Sequence, residues 1–146
     1  MKINSFNIRV YGLLISDDQV LITHEHRKGI DMTKFPGGGL EKGEGIKDCL
    51  IREFREELGI GIEVGELFYV NDFLQVSAFN PSEQLISFYF LVETKSDLRN
   101  LILFGDQSLV NEPYHLKAEF MNLEELHESR FTFPIDKVVA EKLRSS

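Results

Sequence analysis

The stretch LIREFREELGI, residues 50–60, carries glutamates where an ordinary amphipathic helix would carry apolar side chains. Steps of three and four residues return to one helical face, so Ile46, Leu50, Glu53 and Glu57 fall on one line, with Glu56 to its side. A plain surface helix would set its carboxylates opposite the stripe of Ile46, Leu50, Phe54 and Leu58, whereas Glu57 extends that stripe. Clustered carboxylates repel one another, which raises their pKa and costs stability unless a cation or a basic partner sits among them. A divalent metal is the simplest such cation.

The rest of the chain limits what that cluster can serve. A length of 146 residues suits one domain, expected over 1–146, with no room for a second regulatory or DNA-binding domain. Sixteen basic and 24 acidic residues leave a formal net charge of −8. Such a field repels phosphate backbones and anionic lipid, which argues against a nucleic-acid polymer or a membrane surface as partner. A small phosphorylated ligand stays open through a bound metal. Cys49 is the single cysteine, so no internal disulfide can form. The start MKINSFNIRV lacks an apolar signal segment, and runs such as VYGLLI and FYFLV are too short to cross a bilayer. A soluble cytoplasmic protein is expected.

Working outward from the helix, FNIRVYGLLIS and VLITHEH read as strands joined at the polar DDQ. KFPGGGLEKGEG reads as a glycine-rich loop, because Pro36 excludes regular helix and three successive glycines permit unusual backbone angles. Helical periodicity runs over residues 46–58, and Gly59 is placed to stop it. IEVGELFYVNDFLQVS and QLISFYFLVET predict two further strands across the turn-prone AFNPSE. Residues 96–115 give mixed signals and read as a long irregular connection. YHLKAEFMN predicts a last strand, LEELHES a short helix, and PIDKVVAEKLRS a terminal helix beginning at Pro134.

Taken as one unit, residues 38–60 run Gly38, five residues, Glu44, seven residues, Arg52-Glu53, an apolar Phe54, one residue, Glu56-Glu57, one residue, Gly59 and an apolar Ile60. This resembles the Nudix box, with every defined position filled. The likeness extends over most of the chain through the order of strands, and is sharp across the box. The resemblance implies an α/β (α+β) fold, a Nudix-type α/β/α sandwich with a mixed central sheet and flanking helices. It also implies hydrolysis of a nucleoside diphosphate linked to another moiety, with Mg²⁺ or Mn²⁺ as cofactor. Magnesium takes hard oxygen ligands and keeps several waters, which suits an open carboxylate cluster. Carried over position by position, Glu53, Glu56 and Glu57 resemble metal ligands, Gly37 a source of a carbonyl ligand, and Glu44 a supporting carboxylate. Arg52 resembles the arginine that orients the helix carboxylates, a task its planar fork suits, rather than a solvated charge like Arg55.

Other residues carry two readings each. Glu119, in AEFMNLEEL, resembles a general base or extra metal ligand found in relatives; the plainer reading is an exposed strand carboxylate. Arg27, Lys28 and Lys34 lie near the approach to the glycine loop and suit contact with substrate phosphate, or else are solvated loop charges. Asp136 occupies a place where small nucleotide-cleaning relatives read the base, or it charges the first turn of the last helix. His24 and His26 share a strand face without a third ligand, and Cys49 reads as a packed thiol. Phe35, Phe73 and Phe79 include candidates for base stacking among residues that are mostly core.

The glycine loop lacks the Lys-Ser/Thr ending of a P-loop, and no run has the acidic alternation of an EF-hand. A Nudix-fold module that binds nucleotide with weak or no cleavage is the competing class, opposed by retention of all three box glutamates. After the box, Gln75 and Val76-Ser77-Ala78 stand where ADP-ribose and dinucleoside polyphosphate hydrolases carry their marker residues. By size the chain resembles the nucleoside triphosphate pyrophosphohydrolases of the family, with nucleotide sugars and dinucleotides as alternatives. The expected partner is a small-molecule nucleotide, and a homodimer is left open.

Overall fold

The computed structural model describes residues 2–98 and 115–146. Strand β1 (Ser5–Ser16) is the spine, running parallel to β6 (Glu83–Glu93) from the pair Ser5/Glu83 to the pair Leu14/Val92. Strand β5 (Glu63–Val70) pairs antiparallel with the outer edge of β6, and the short β4 (Gly37–Gly39) pairs antiparallel with β1 at Arg9, Val10 and Tyr11. Asp17 and Asp18, with φ of 51° and 59°, form a tight turn into β2 (Gln19–Arg27). Two consecutive left-handed residues are what a two-residue hairpin turn requires, and aspartate tolerates the conformation better than most side chains. The hairpin pairs only at Ile15/Val20 and Ser16/Gln19. Beyond that point β2 leaves β1 and takes β3 (Ile30–Lys34) and β7 (His115–Asn122) as its neighbours.

Strand alternation then sorts the side chains into two layers. On one face Val10, Leu14 and Leu21 pack with Leu50, Phe54 and Leu58 of α1 (Ile46–Leu58). On the other, Leu13, Val20, Ile22 and Tyr89 pack with Ile135, Val139 and Leu143 of α2 (Pro134–Arg144). The result is a mixed sheet with a helix on each face, the α+β sandwich the sequence predicts. Among the described residues, no helix is long and apolar enough to cross a membrane.

The structure differs from the sequence expectation in four places. Part of the glycine loop is the strand β4, which β1 recruits although glycine has little strand preference of its own. Residues 30–34 add a strand, β3, that the pattern did not single out. The strand expected to continue to Ser77 ends at Val70. There the Asn71 side chain donates to the carbonyls of Phe73 and Leu85 and accepts from the Ser87 amide at 2.8 Å, turning the chain away. LEELHES is two separate 3-10 turns, Leu123–Glu125 and Glu128–Arg130, around the fully buried Leu126. Most of the expected 96–115 connection lies outside the described residues.

Helix α1 ends where the sequence predicts: Gly59 has φ 70°, and its amide donates to the Arg55 carbonyl at 3.1 Å. A side chain in that left-handed conformation is strained. Gly59→Ala is therefore expected to lower stability by about 1 kcal/mol, read from the denaturant midpoint at unchanged m-value.

Candidate active site

Arg52, in the second turn of α1, gathers the loop and the helix acids around one guanidinium. Its Nε donates to Glu44 at 3.0 Å and its Nη2 to the other Glu44 oxygen at 2.7 Å, a two-point clamp. Nη2 also donates to the Gly39 carbonyl at 3.2 Å. Nη1 reaches Glu53 at 2.9 Å and Glu56 at 3.3 Å. Hydrogen bonds from Arg52, aided by the Glu41 amide, pull the Glu44 carboxyl down to about 2. Glu44 in turn raises the pKa of Arg52, so the guanidinium is permanently charged.

Glu53 lies against Gly38 of β4, where an added Cβ would collide with its carboxylate. Only a residue without a side chain lets the strand pass so near the acid. Glu57, one turn on, is different: its Oε2 is buried and has no hydrogen-bond partner among the described residues. Burial pushes the Glu57 carboxyl up to about 7, opposed by the charge of Lys34 and reinforced by Glu25 and Glu53. Among the described residues no three acids, histidines or thiols converge closely enough as they stand to enclose a cation. The donor set nonetheless fits a hard divalent ion: an orphaned buried carboxylate oxygen, Glu53 beside it, and Glu56 still 60% exposed at its side chain. Gly37, opposite Tyr11 in β4, belongs to the same edge.

On the α2 side of the sheet is a cavity of about 200 Å³. Three cations line it, Arg9, Arg27 and Lys34, with the aromatic rings of Tyr11, Phe79 and Phe133. Arg9 donates from Nε to the Tyr11 hydroxyl at 3.0 Å, and Tyr11 stacks on Tyr89 with centroids 5.0 Å apart. At the far wall the Tyr89 hydroxyl donates to Asp136 Oδ1 at 2.6 Å. Burial pushes the Asp136 carboxyl up to about 6 despite that bond and despite Lys34 and Arg9. Lys34 and Arg9 thus act on the acids of both regions, Glu57 on one side and Asp136 on the other. Lys34 itself is buried and paired with Glu25 at 3.0 Å. Its pKa is raised: burial opposes the charge, and the carboxylates of Glu25 and Glu57 outweigh burial.

Of the residues singled out in the sequence, Arg52, Glu53 and Glu56 form one hydrogen-bonded group with Glu57 alongside, and Arg27, Lys34 and Asp136 meet in the cavity. Glu119 is not brought to either. It shares strand parity with Met121, which packs on the α2 side, whereas Leu116 and Ala118 face α1. Its carboxylate instead lies 3.3 Å from His24 Nε2. His24 also contacts the Thr33 hydroxyl, and His26 contacts Asp31, so neither histidine joins the box acids. Cys49 is a packed thiol pushed up to about 12, chiefly by burial. Phe35 is core, stacked on Phe131, while Phe79 lines the cavity and Phe73 does not. Sequence reasoning missed Arg9 and Glu25. The signal was partial: each is a charge at a position that alternates with inward-facing neighbours, Arg9 with Tyr11 and Leu13, Glu25 with Leu21 and Thr23.

Comparison with known proteins agrees with this geometry. The mouse protein named nucleoside diphosphate-linked moiety X motif 6 is 32% identical over 130 residues, covering 88% of this chain and 38% of its own length. The chain therefore spans well under half of that relative. A NUDIX hydrolase structure from Nitrosomonas europaea superposes with a TM-score of 0.71 at 20% identity, over 95% of this chain and 88% of that one. A MutT NUDIX hydrolase structure from Burkholderia pseudomallei gives 0.70 at 19% identity, over 94% and 98% of the two chains. Residues 6–142 match the NUDIX domain, and the chain belongs to that family.

Proposed function

We propose that this chain hydrolyses a pyrophosphate bond in a nucleoside diphosphate derivative, that its substrates are nucleoside triphosphates, and that it works with Mg²⁺ or Mn²⁺ in the cytoplasm. The observation that carries this reading is a shared pair of cations: Arg9 and Lys34 act on an acid with an orphaned buried oxygen and also line a cavity with Arg27 and aromatic rings. Pyrophosphate needs charge neutralisation at one end of a site, and a base needs flat apolar contact at the other.

Glu53, Glu56 and Glu57, with the carbonyl of Gly37, would hold the ion. When bound, it supplies neutralisation of phosphate charge, polarisation of phosphorus and acidification of the attacking water. Arg52 fixes the direction of Glu53 and Glu56 and does not touch substrate. Arg9, Arg27 and Lys34 are placed to take phosphate oxygens, which fork and point-charge donors suit. Tyr11, Phe79 and Phe133 offer faces for the base, and Asp136 a hydrogen-bonding group at its edge. The position of Glu119 on the other face favours a general base drawn from the box.

A phosphate-release screen over a nucleotide panel with Mg²⁺ or Mn²⁺ tests the assignment. Turnover is expected on at least one nucleotide and none in excess chelator; nucleotide binding without any turnover would instead make the chain a nucleotide-binding module.

Glu57→Gln is expected to lower turnover by orders of magnitude while the protein stays folded. Because the pKa of Glu57 is raised from 4.5 to about 7 in the fold, stability is lost as pH rises through that window and the full cost is present above it. At pH about 8 in chelator, the melting temperature of Glu57→Gln should therefore equal or exceed that of the wild type, and Mn²⁺ should raise it less.

Asp136 gives a second test. Its carboxyl is raised from 3.8 to about 6 in the fold, so between those values the folded protein keeps a proton that the unfolded chain has released. The contribution of Asp136 to stability thus falls as pH rises through that window. Asp136→Asn keeps an acceptor for Tyr89 and removes the buried charge. A gain on the order of 2–3 kcal/mol at pH about 8, fading toward pH about 4, is expected in denaturant titrations. If Asp136 also reads the base, the same variant changes the ranking of substrates in the panel, whereas a uniform change would leave base selection elsewhere.

A further inference from the structure

We propose that Glu25 is a positioning residue: it holds the ammonium of Lys34 away from Glu57, so that the buried oxygen of Glu57 stays open to a divalent cation. The inference rests on the metal-dependent reading above. Glu25 on β2 and Lys34 on β3 meet at 3.0 Å, with side chains only 5% and 8% exposed. Thr23, directly opposite Lys34, donates its hydroxyl to the Lys34 carbonyl at 3.2 Å and pins that end of β3. Two carboxylates, Glu25 and Glu57, draw the charge at the end of the lysine stem. Of all the charges acting on Glu57, that of Lys34 is the strongest, yet Glu57 Oε2 has no partner among the described residues.

A buried ammonium and a buried carboxylate oxygen whose charges act on each other ordinarily close up where they can reach, because leaving the oxygen bare forfeits a hydrogen bond that water cannot replace. Here the Lys34 ammonium is held 3.0 Å from Glu25 and leaves the Glu57 oxygen unmet among the described residues; with three N–H donors to offer, it is kept off by where Glu25 holds it and not by a lack of donors. Freed from that bond, it would swing to Glu57 and stand where the ion belongs. Glu25 is not among the residues that line the cavity. Glu25 also acts on Glu57 directly by charge, so a tether is told from a source of negative field only by a change that keeps the charge and depends on Lys34.

The test is Mn²⁺ binding to the full chain without nucleotide, read as the loss of free-ion electron paramagnetic resonance signal. It compares wild type, Glu25→Asp and Glu25→Gln, each with Lys34 intact and in a Lys34→Met background. Glu25→Asp keeps the charge and shortens the reach by one methylene, so it preserves the field and loosens the tether. It is expected to weaken Mn²⁺ binding about tenfold when Lys34 is present and to change it less than about twofold when Lys34 is replaced. Equal weakening by Glu25→Asp in both backgrounds would mean that its effect does not run through Lys34, and no weakening in either would mean that it tethers nothing; each overturns the proposal. If Glu25→Gln loses its near-ultraviolet circular dichroism, the charge-conserving Glu25→Asp pair decides alone. A wild type that binds no Mn²⁺, or binds it as well as Glu57→Gln does, overturns the metal-dependent reading together with this one. Glu57-dependent binding that ignores Glu25 overturns this one only.

Discussion

The guanidinium of Arg52 is the contact on which the site's geometry depends. One planar group satisfies both oxygens of Glu44, the Gly39 carbonyl and one oxygen each of Glu53 and Glu56. The loop between β4 and α1 has little apolar packing to set its course, so Glu44 fixes it by charge. A lysine could not do this, since an ammonium presents a point rather than a fork. With one side of the fork spent on the loop, the other spaces the helix acids, and β4 is held close enough that only glycine fits beside Glu53.

That arrangement leaves a surplus of negative charge, and the fold meets it unequally. Glu44, Glu53 and Glu56 share Arg52, whereas Glu57 shares nothing and is forced toward protonation by burial. Nearby lie Arg9 and Lys34, both committed elsewhere: Arg9 to the Tyr11 hydroxyl and Lys34 to Glu25. Cations therefore stand close to the acids without quenching them. A fold selected for stability alone would close such a gap, since replacing buried charge by packed apolar groups is often neutral or favourable. An unquenched acid is what a cation-binding function needs.

What was legible in the sequence follows the range of the forces involved. Helix α1 was readable to both ends because its periodicity and its Gly59 stop are local properties. The box carboxylates were readable because they break that periodicity. Strand β4 was not: three glycines have no strand signal, and their extended form comes from pairing with residues 9–11. Arg27, Lys34 and Asp136 were named separately from three distant segments, and their meeting in one cavity is a matter of tertiary structure. Glu119 shows how far a motif's neighbourhood carries. A motif-like neighbourhood suggested it, but strand parity decides which face a side chain occupies, and a single register step separates it from Ala118 on the α1 side.

Parity also explains how one sheet serves both regions. On β1, Val10 and Leu14 face α1, while the alternate residues Asn7, Arg9 and Tyr11 line the cavity on the opposite face. The acids of α1 would be sealed from that cavity if the sheet continued unbroken between them. It does not, because β2 departs from β1 after two residue pairs and only the short β4 borders β1 there. The opening between β4 and the diverging β2 is where Lys34 lies, acting on Glu57 and on Asp136 from the same ammonium. The shallow hairpin at Asp17 and Asp18 is therefore part of the functional design: a longer β1–β2 ladder would close the passage that joins the two halves of the site.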